Sequence, residues 1–167
     1  VFLGMMGSGK SSIGKLVSKK LKIFFFDIDK HIEKNLKMEI AEIFKNKGEN
    51  FFRKYEKKIT LQILKKKHII IALGGGAFLN KDVRQEILSK HTSFWLDCDE
   101  KIIIQRIINN PRRPLAYGMS EDEIIKLCKK RSKIYAKADF RINCSNLTKT
   151  QIVNKILNIY EKNKIKN

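Results

Sequence analysis

Val1-Phe2-Leu3-Gly4-Met5-Met6-Gly7-Ser8-Gly9-Lys10-Ser11-Ser12 begins the sequence, and its reading decides the fold. Three apolar residues of strand size run into Gly4–Ser11, which fits the eight-position pattern G-x-x-x-x-G-K-[ST], and an apolar helical stretch from Ile13 to Leu21 follows. Glycines let successive backbone N–H groups turn inward around phosphate oxygens, and the positive N-terminus of the next helix faces the same anion. Lys10 is expected to reach the β and γ phosphates of ATP and the Ser11 hydroxyl to ligate Mg²⁺. Gly7, Ser8, Gly9 and Ser12 complete the candidate nucleotide cradle.

Working outward, short apolar runs alternate with amphipathic stretches. Val1–Leu3, Ile23–Ile28, Ile69–Leu73, Ser93–Leu96 and Phe140–Cys144 read as strands separated by helical patterns, the signature of a parallel α/β sheet between helices. Capping boxes at Ser120 with Glu123 and at Thr148 with Gln151 mark helix starts, and Asp99 stands as an N-cap before Ile102. No repeat or linker divides residues 1–167, so one domain is expected. Pro111-Arg112-Arg113-Pro114 interrupts a helical pattern, and residues 109–119 read as a basic loop of the size that forms a mobile lid.

The 167 residues carry 36 Lys and Arg against 17 Asp and Glu, a net charge of +19. Such an excess ordinarily suggests nucleic acid or an anionic membrane. Yet 29 of the basic residues are Lys, and Lys, Ile and Asn share A/T-rich codons, so drift in composition accounts for most of it. No basic stripe interleaved with aromatics points to nucleic acid, and no apolar run approaches the roughly 18 residues of a membrane helix. Cys98, Cys128 and Cys144 have neither zinc nor disulfide-framework spacing, and read as thiols of a protein in a reducing cytoplasm.

Other residues narrow the chemistry. Asp27-Ile28-Asp29 lies where the second strand runs out, at the strand end where ligands of open α/β sheets bind. One carboxylate can hold a hydrated metal and the other a substrate hydroxyl; the alternative is a plain helix cap. With only seven arginines, each can mark a place where a planar fork matters. Arg131 falls in the apolar stripe of Ile124, Leu127, Cys128 and Tyr135, where a permanent cation needs an anion, either a ligand carboxylate or an internal acid. Arg53 has Glu56 three residues on, which either orients its fork or makes a surface salt bridge. Gly74-Gly75-Gly76 follows a buried strand, as a turn or as a place where a ligand meets the backbone. Arg112 and Arg113 lie in the lid stretch, where one could neutralise charge on a transferring phosphate.

Taken together, Gly4 to Ser12, Asp27-x-Asp29, Gly48-Glu49-x-Phe51-Phe52-Arg53-x-x-Glu56, Leu73-Gly74-Gly75-Gly76-Ala77, Arg113-Pro114-Leu115 and Arg131 resemble shikimate kinase across nearly the whole chain. The resemblance implies a three-layer P-loop fold with a five-stranded parallel sheet of order 2-3-1-4-5, a substrate-binding region at 32–56, and a lid closing over ATP. It implies phosphorylation of the 3-hydroxyl of shikimate by a cytoplasmic monomer in aromatic amino acid biosynthesis. Asp29, Arg53, Gly74, Gly75, Gly76 and Arg131 would hold shikimate, with Phe44 and Phe52 as the apolar wall. Lys10 and Arg113 would contact phosphate, Arg106 would lie against adenine, and Asp27 would join Ser11 at the metal through water. Lys10, Asp29 and Arg113 would carry catalysis. Ala72 departs from the family, which often has a hydroxyl there. The rival enzymatic reading is another small P-loop kinase, for gluconate or a nucleoside monophosphate.

Overall fold

The computed structural model describes residues 1–108 and 116–164. β1 (Phe2–Leu3) leads through the phosphate loop into α1 (Lys10–Leu21), then β2 (Phe24–Asp27), α2 (Ile28–Leu36) and the long α3 (Ile40–Leu64). β3 (Ile69–Ala72), a 3₁₀ turn (Ala77–Leu79) and α4 (Lys81–Lys90) precede β4 (Phe94–Asp97) and α5 (Glu100–Ile107). After residues 109–115, α6 (Glu121–Tyr135), β5 (Phe140–Asn143) and α7 (Lys149–Lys164) complete the order. The sheet is parallel throughout, with order β2-β3-β1-β4-β5 as expected.

Side chains alternate across a strand, so a buried parallel sheet builds one core on each face. Leu3, Ile71 and Trp95 pack with α2 to α6, whereas Phe2, Ile70, Phe94, Leu96 and Ile142 pack against α1 and α7. Ile28 and Ile32, one turn apart, are fully buried and fasten α2 to the first core, each contributing about 1.5–3 kcal/mol. The expected caps are present: Ser120 and Glu123 cap each other's backbone at α6, Thr148 does so with Gln151 at α7, and Asp99 caps α5.

Two details depart from the strand-by-strand reading. β2 stops at Asp27, whose carboxylate accepts from the N–H of Lys30 and caps α2, so Asp29 lies in a helical first turn. A helix start, not the pleat of a strand, brings the two acids together. α3 is broken at Gly48, whose φ of 77° and ψ of 165° belong to a region open essentially to glycine alone. That break divides α3 into a first part, Ile40–Lys47, and the segment carrying Phe52, Arg53 and Glu56. Arg112 and Arg113, with lid positions 109–115, lie outside the described residues.

Candidate active site

The loops at the carboxyl ends of β1, β2, β3 and β4 converge on one side of the sheet. A cavity of about 400 Å³ opens there, lined by the phosphate loop with Asp27, Asp29, Gly75, Arg106 and the thiols of Cys98 and Cys144. Gly4, Gly7 and Gly9 of the loop all adopt positive φ. Lys10 is buried, its ammonium donating to the carbonyls of Gly4 at 3.0 Å and Met5 at 2.8 Å. Ser8 is buried with its hydroxyl unpartnered among the described residues, and Ser12 is exposed at the start of α1. Arg106 of α5 crosses the loop and donates to the Gly7 carbonyl at 2.8 Å, at the cavity's edge.

Ser11 donates to Asp27 across 2.5 Å, so a hydroxyl and a carboxylate from different elements meet beside the loop. This pair of hard oxygens suits Mg²⁺, which takes one or two protein oxygens and completes its shell with water and phosphate. Asp27 therefore caps α2 through one carboxylate oxygen and accepts from Ser11 through the other. Among the described residues no larger His, Cys, Asp or Glu cluster gathers for a metal.

On the other side of the loop, four charged residues surround the glycine segment. A side chain at Gly74 would run into Glu56 and Asp29, and one at Gly76 would run into the guanidinium of Arg53. At Gly75 it would stand 3.6 Å from the guanidinium of Arg131 and 3.3 Å from the backbone nitrogen of Met6. The three glycines thus let the chain leaving β3 pass between the acids, both arginines and the phosphate loop.

Arg53 is fixed from several directions. It donates to Glu56 at 2.6 Å and Glu49 at 3.1 Å, and lies over the rings of Phe52 and Phe44 at 5.1 and 5.9 Å. Phe44 and Phe52 are themselves packed, with centroids 4.9 Å apart. Burial opposes the charge on Arg53, but Glu56 and Glu49 outweigh it and hold its pKa above the ordinary value. Glu56 is buried, and its desolvation outweighs the attraction of Arg53 and Arg131, so its carboxyl titrates above the usual range. Since Glu56 is buried, the Arg53 pair is more than a surface salt bridge.

Arg131 answers the question its position posed. It is only 6% exposed within the buried stripe of Ile124, Cys128 and Tyr135, and among the described residues it forms no ion pair. Its Nη1 reaches the Met5 sulfur at 3.9 Å, its guanidinium also feels the Tyr135 hydroxyl and the charge of Glu56, and its Nε has no hydrogen-bond partner among the described residues. A buried cation needs an anion, and the nearest internal one, Glu56, is already paired with Arg53, which leaves Arg131 able to take an anion from outside the protein. Tyr135, which motif reading missed, donates to the Gly75 carbonyl at 2.5 Å from one turn beyond Arg131. Its i+4 spacing from an inward arginine was the only signal. Burial pushes its pKa up to about 12, so it stays protonated and a donor.

Comparisons with known proteins agree with this geometry. The family model described as Shikimate kinase matches residues 6–161. The chain is 43% identical over 144 residues to a shikimate kinase of Bartonella quintana (strain Toulouse), covering 86% of this chain and 69% of that one. It is 40% identical over 163 residues to a shikimate kinase of Thermodesulfovibrio yellowstonii, covering 97% and 94%. A solved shikimate kinase from Acinetobacter baumannii in complex with shikimate superposes with a TM-score of 0.92 at 27% identity, covering 98% of this chain and 92% of that one.

Proposed function

The chain belongs to the shikimate kinase family, and from that premise we propose that it moves the γ-phosphoryl group of ATP onto the 3-hydroxyl of shikimate, giving shikimate 3-phosphate and ADP. The observation that carries this reading at the level of residues is Arg131, a buried guanidinium with an unpartnered Nε, 3.6 Å from where a Gly75 side chain would begin. Arg131 and the braced fork of Arg53 take the ring carboxylate, and Phe44 and Phe52 bound the apolar side of the ring. Asp29 accepts from the ring hydroxyls, and the backbone of Gly74, Gly75 and Gly76 closes the pocket without side chains in the way.

ATP lies in the loop cavity. Gly7, Ser8, Gly9, Ser11 and Ser12 surround its phosphates, Lys10 meets the β and γ groups, and Arg106 flanks the base. Mg²⁺, held by Ser11 and through water by Asp27, supplies neutralising charge to the phosphate oxygens. The hydroxyl oxygen attacks the γ-phosphorus in line as the bond to the β,γ-bridging oxygen breaks, and its proton passes to solvent through Asp29. Such a transition state is loose, so placement and fixed charge do most of the work. Arg113, outside the described residues, is the lid residue proposed to meet the phosphates on closure. The reading places the enzyme as a monomer in the cytoplasm with small anions as its ligands and neither nucleic acid nor membrane as partner. No described helix is long and apolar enough to cross a membrane.

A coupled ADP-release assay across shikimate, gluconate and AMP tests the substrate. Turnover confined to shikimate is expected, and comparable turnover of either other acceptor overturns the proposal. Arg131→Ala is expected to raise the KM for shikimate at least tenfold, corresponding to roughly 1.4 kcal/mol, with the KM for ATP nearly unchanged.

A further inference from the structure

β4 and β5 pair in parallel with Asp97 opposite Asn143, so the next residues, Cys98 and Cys144, are neighbours just past the two strand ends. The N–H of Cys144 extends the ladder by donating to the Asp97 carbonyl at 2.7 Å. Adjacent strands stand about 4.8 Å apart, inside the roughly 4.4–6.8 Å Cα window of a disulfide. Neighbouring positions on paired strands send their side chains to the same side, and both residues line the loop cavity; the Cys144 thiol donates to the Ile142 carbonyl at 3.2 Å and is near enough to Cys98 for each to shift the other's titration. Cys98 is the more accessible, and its thiol also donates to the Ser8 carbonyl of the phosphate loop at 3.4 Å.

We propose that Cys98 and Cys144 are an oxidisable dithiol, closed to a disulfide by a peroxide, and that closure weakens binding of the nucleotide while sparing the acid pocket. The effect on ligands rests on the function proposed above; the thiol chemistry does not. Cys98 attacks first: a sulfur–oxygen bond forms as the peroxide bond breaks, and one water leaves. The sulfur of Cys144 then attacks the resulting sulfenic acid, an S–S bond replaces the S–O bond, and a second water leaves. Two thiols give up two electrons and two protons, and the peroxide becomes two waters.

The surroundings assign the roles. The neighbouring Cys144 thiol, together with the positive charges of Arg106 and Lys10, holds Cys98 below the ordinary thiol pKa against its burial. The same contact and burial raise Cys144, which suits it to wait as the resolving thiol. Cys128 is a built-in control: it is buried on α6, and burial pushes it up to about 11. Once Cys98 is in a disulfide it has no hydrogen left for Ser8, so the loop carbonyl loses its donor and the cavity wall is redrawn. Arg53 and Arg131, the two arginines of the acid pocket, are not part of the lining of that cavity.

The test treats the reduced protein with hydrogen peroxide and follows intact mass, peptide mapping and kinetics. Loss of two hydrogen masses, a peptide linking positions 98 and 144, and a several-fold rise in the KM for ATP with the KM for shikimate held are expected, all reversed by dithiothreitol. A non-hydrolysable ATP analogue should slow the reaction, Cys144→Ser should stop it at the sulfenic acid, and Cys128→Ser should leave the link intact. A disulfide through Cys128, over-oxidation of Cys98 without a link, or full closure with the KM for ATP unmoved overturns the proposal. If the reduced protein fails to use ATP and shikimate, the functional reading fails, while the mass data still judge the dithiol.

Discussion

Tyr135 connects the two halves of the acid pocket, since its helix carries Arg131 and its hydroxyl holds the carbonyl of Gly75. Tyr135→Phe keeps the ring packed against Trp95 but frees that carbonyl. We expect the KM for shikimate to rise several-fold with kcat and the KM for ATP little changed, and stability to fall by about 0.5–1.5 kcal/mol in urea unfolding. The tyrosine also has a pH signature. Its folded pKa of about 12 exceeds the unfolded value near 10, so above pH 10 the unfolded chain releases a proton that the native state keeps. Native stability therefore declines from pH 10 toward 12, and the phenylalanine variant should show a shallower decline. Lys10→Ala acts elsewhere: its ammonium meets charge developing on the γ-phosphate, so kcat should drop by at least a hundredfold, about 2.7 kcal/mol, in steady-state assays.

At the level of elements, Gly48 and the Gly74–Gly76 segment separate two uses of glycine. No described residue stands within 4 Å of where a Gly48 side chain would begin, so Gly48→Ala meets backbone strain and no described neighbour. It should cost about 1–3 kcal/mol, read as a loss of several degrees in Tm. Gly74→Ala meets Asp29 and Glu56, so shikimate affinity should suffer more than Tm. The sequence made some of this legible. The phosphate loop, the caps and the five strands announce themselves through local pattern, and the inward Arg131 could be seen from helical periodicity. The break at Gly48, the bond from Tyr135 to Gly75 and the meeting of Cys98 with Cys144 could not. Each depends on a backbone conformation, or on contacts across tens of residues, that local pattern does not encode.

For the whole molecule, the +19 charge and two anionic ligands bear on capture rate. Exposed charges act over a screening length of about 8 Å at physiological salt, so kcat/KM for both substrates should fall as salt rises, with kcat itself nearly flat. A kcat/KM indifferent to salt would remove any steering role for the surface lysines. Among the described residues only Lys10 and Arg131 of these many cations are buried. Lys10 already rests on the carbonyls of Gly4 and Met5, although a long aliphatic stem held at one end forfeits up to about 2 kcal/mol of rotational freedom. Folding has absorbed that restriction before any triphosphate arrives. Recognition at this berth is therefore an exchange of acceptors by an ammonium already moored, and the first encounter need not wait for a wandering side chain to find its mark.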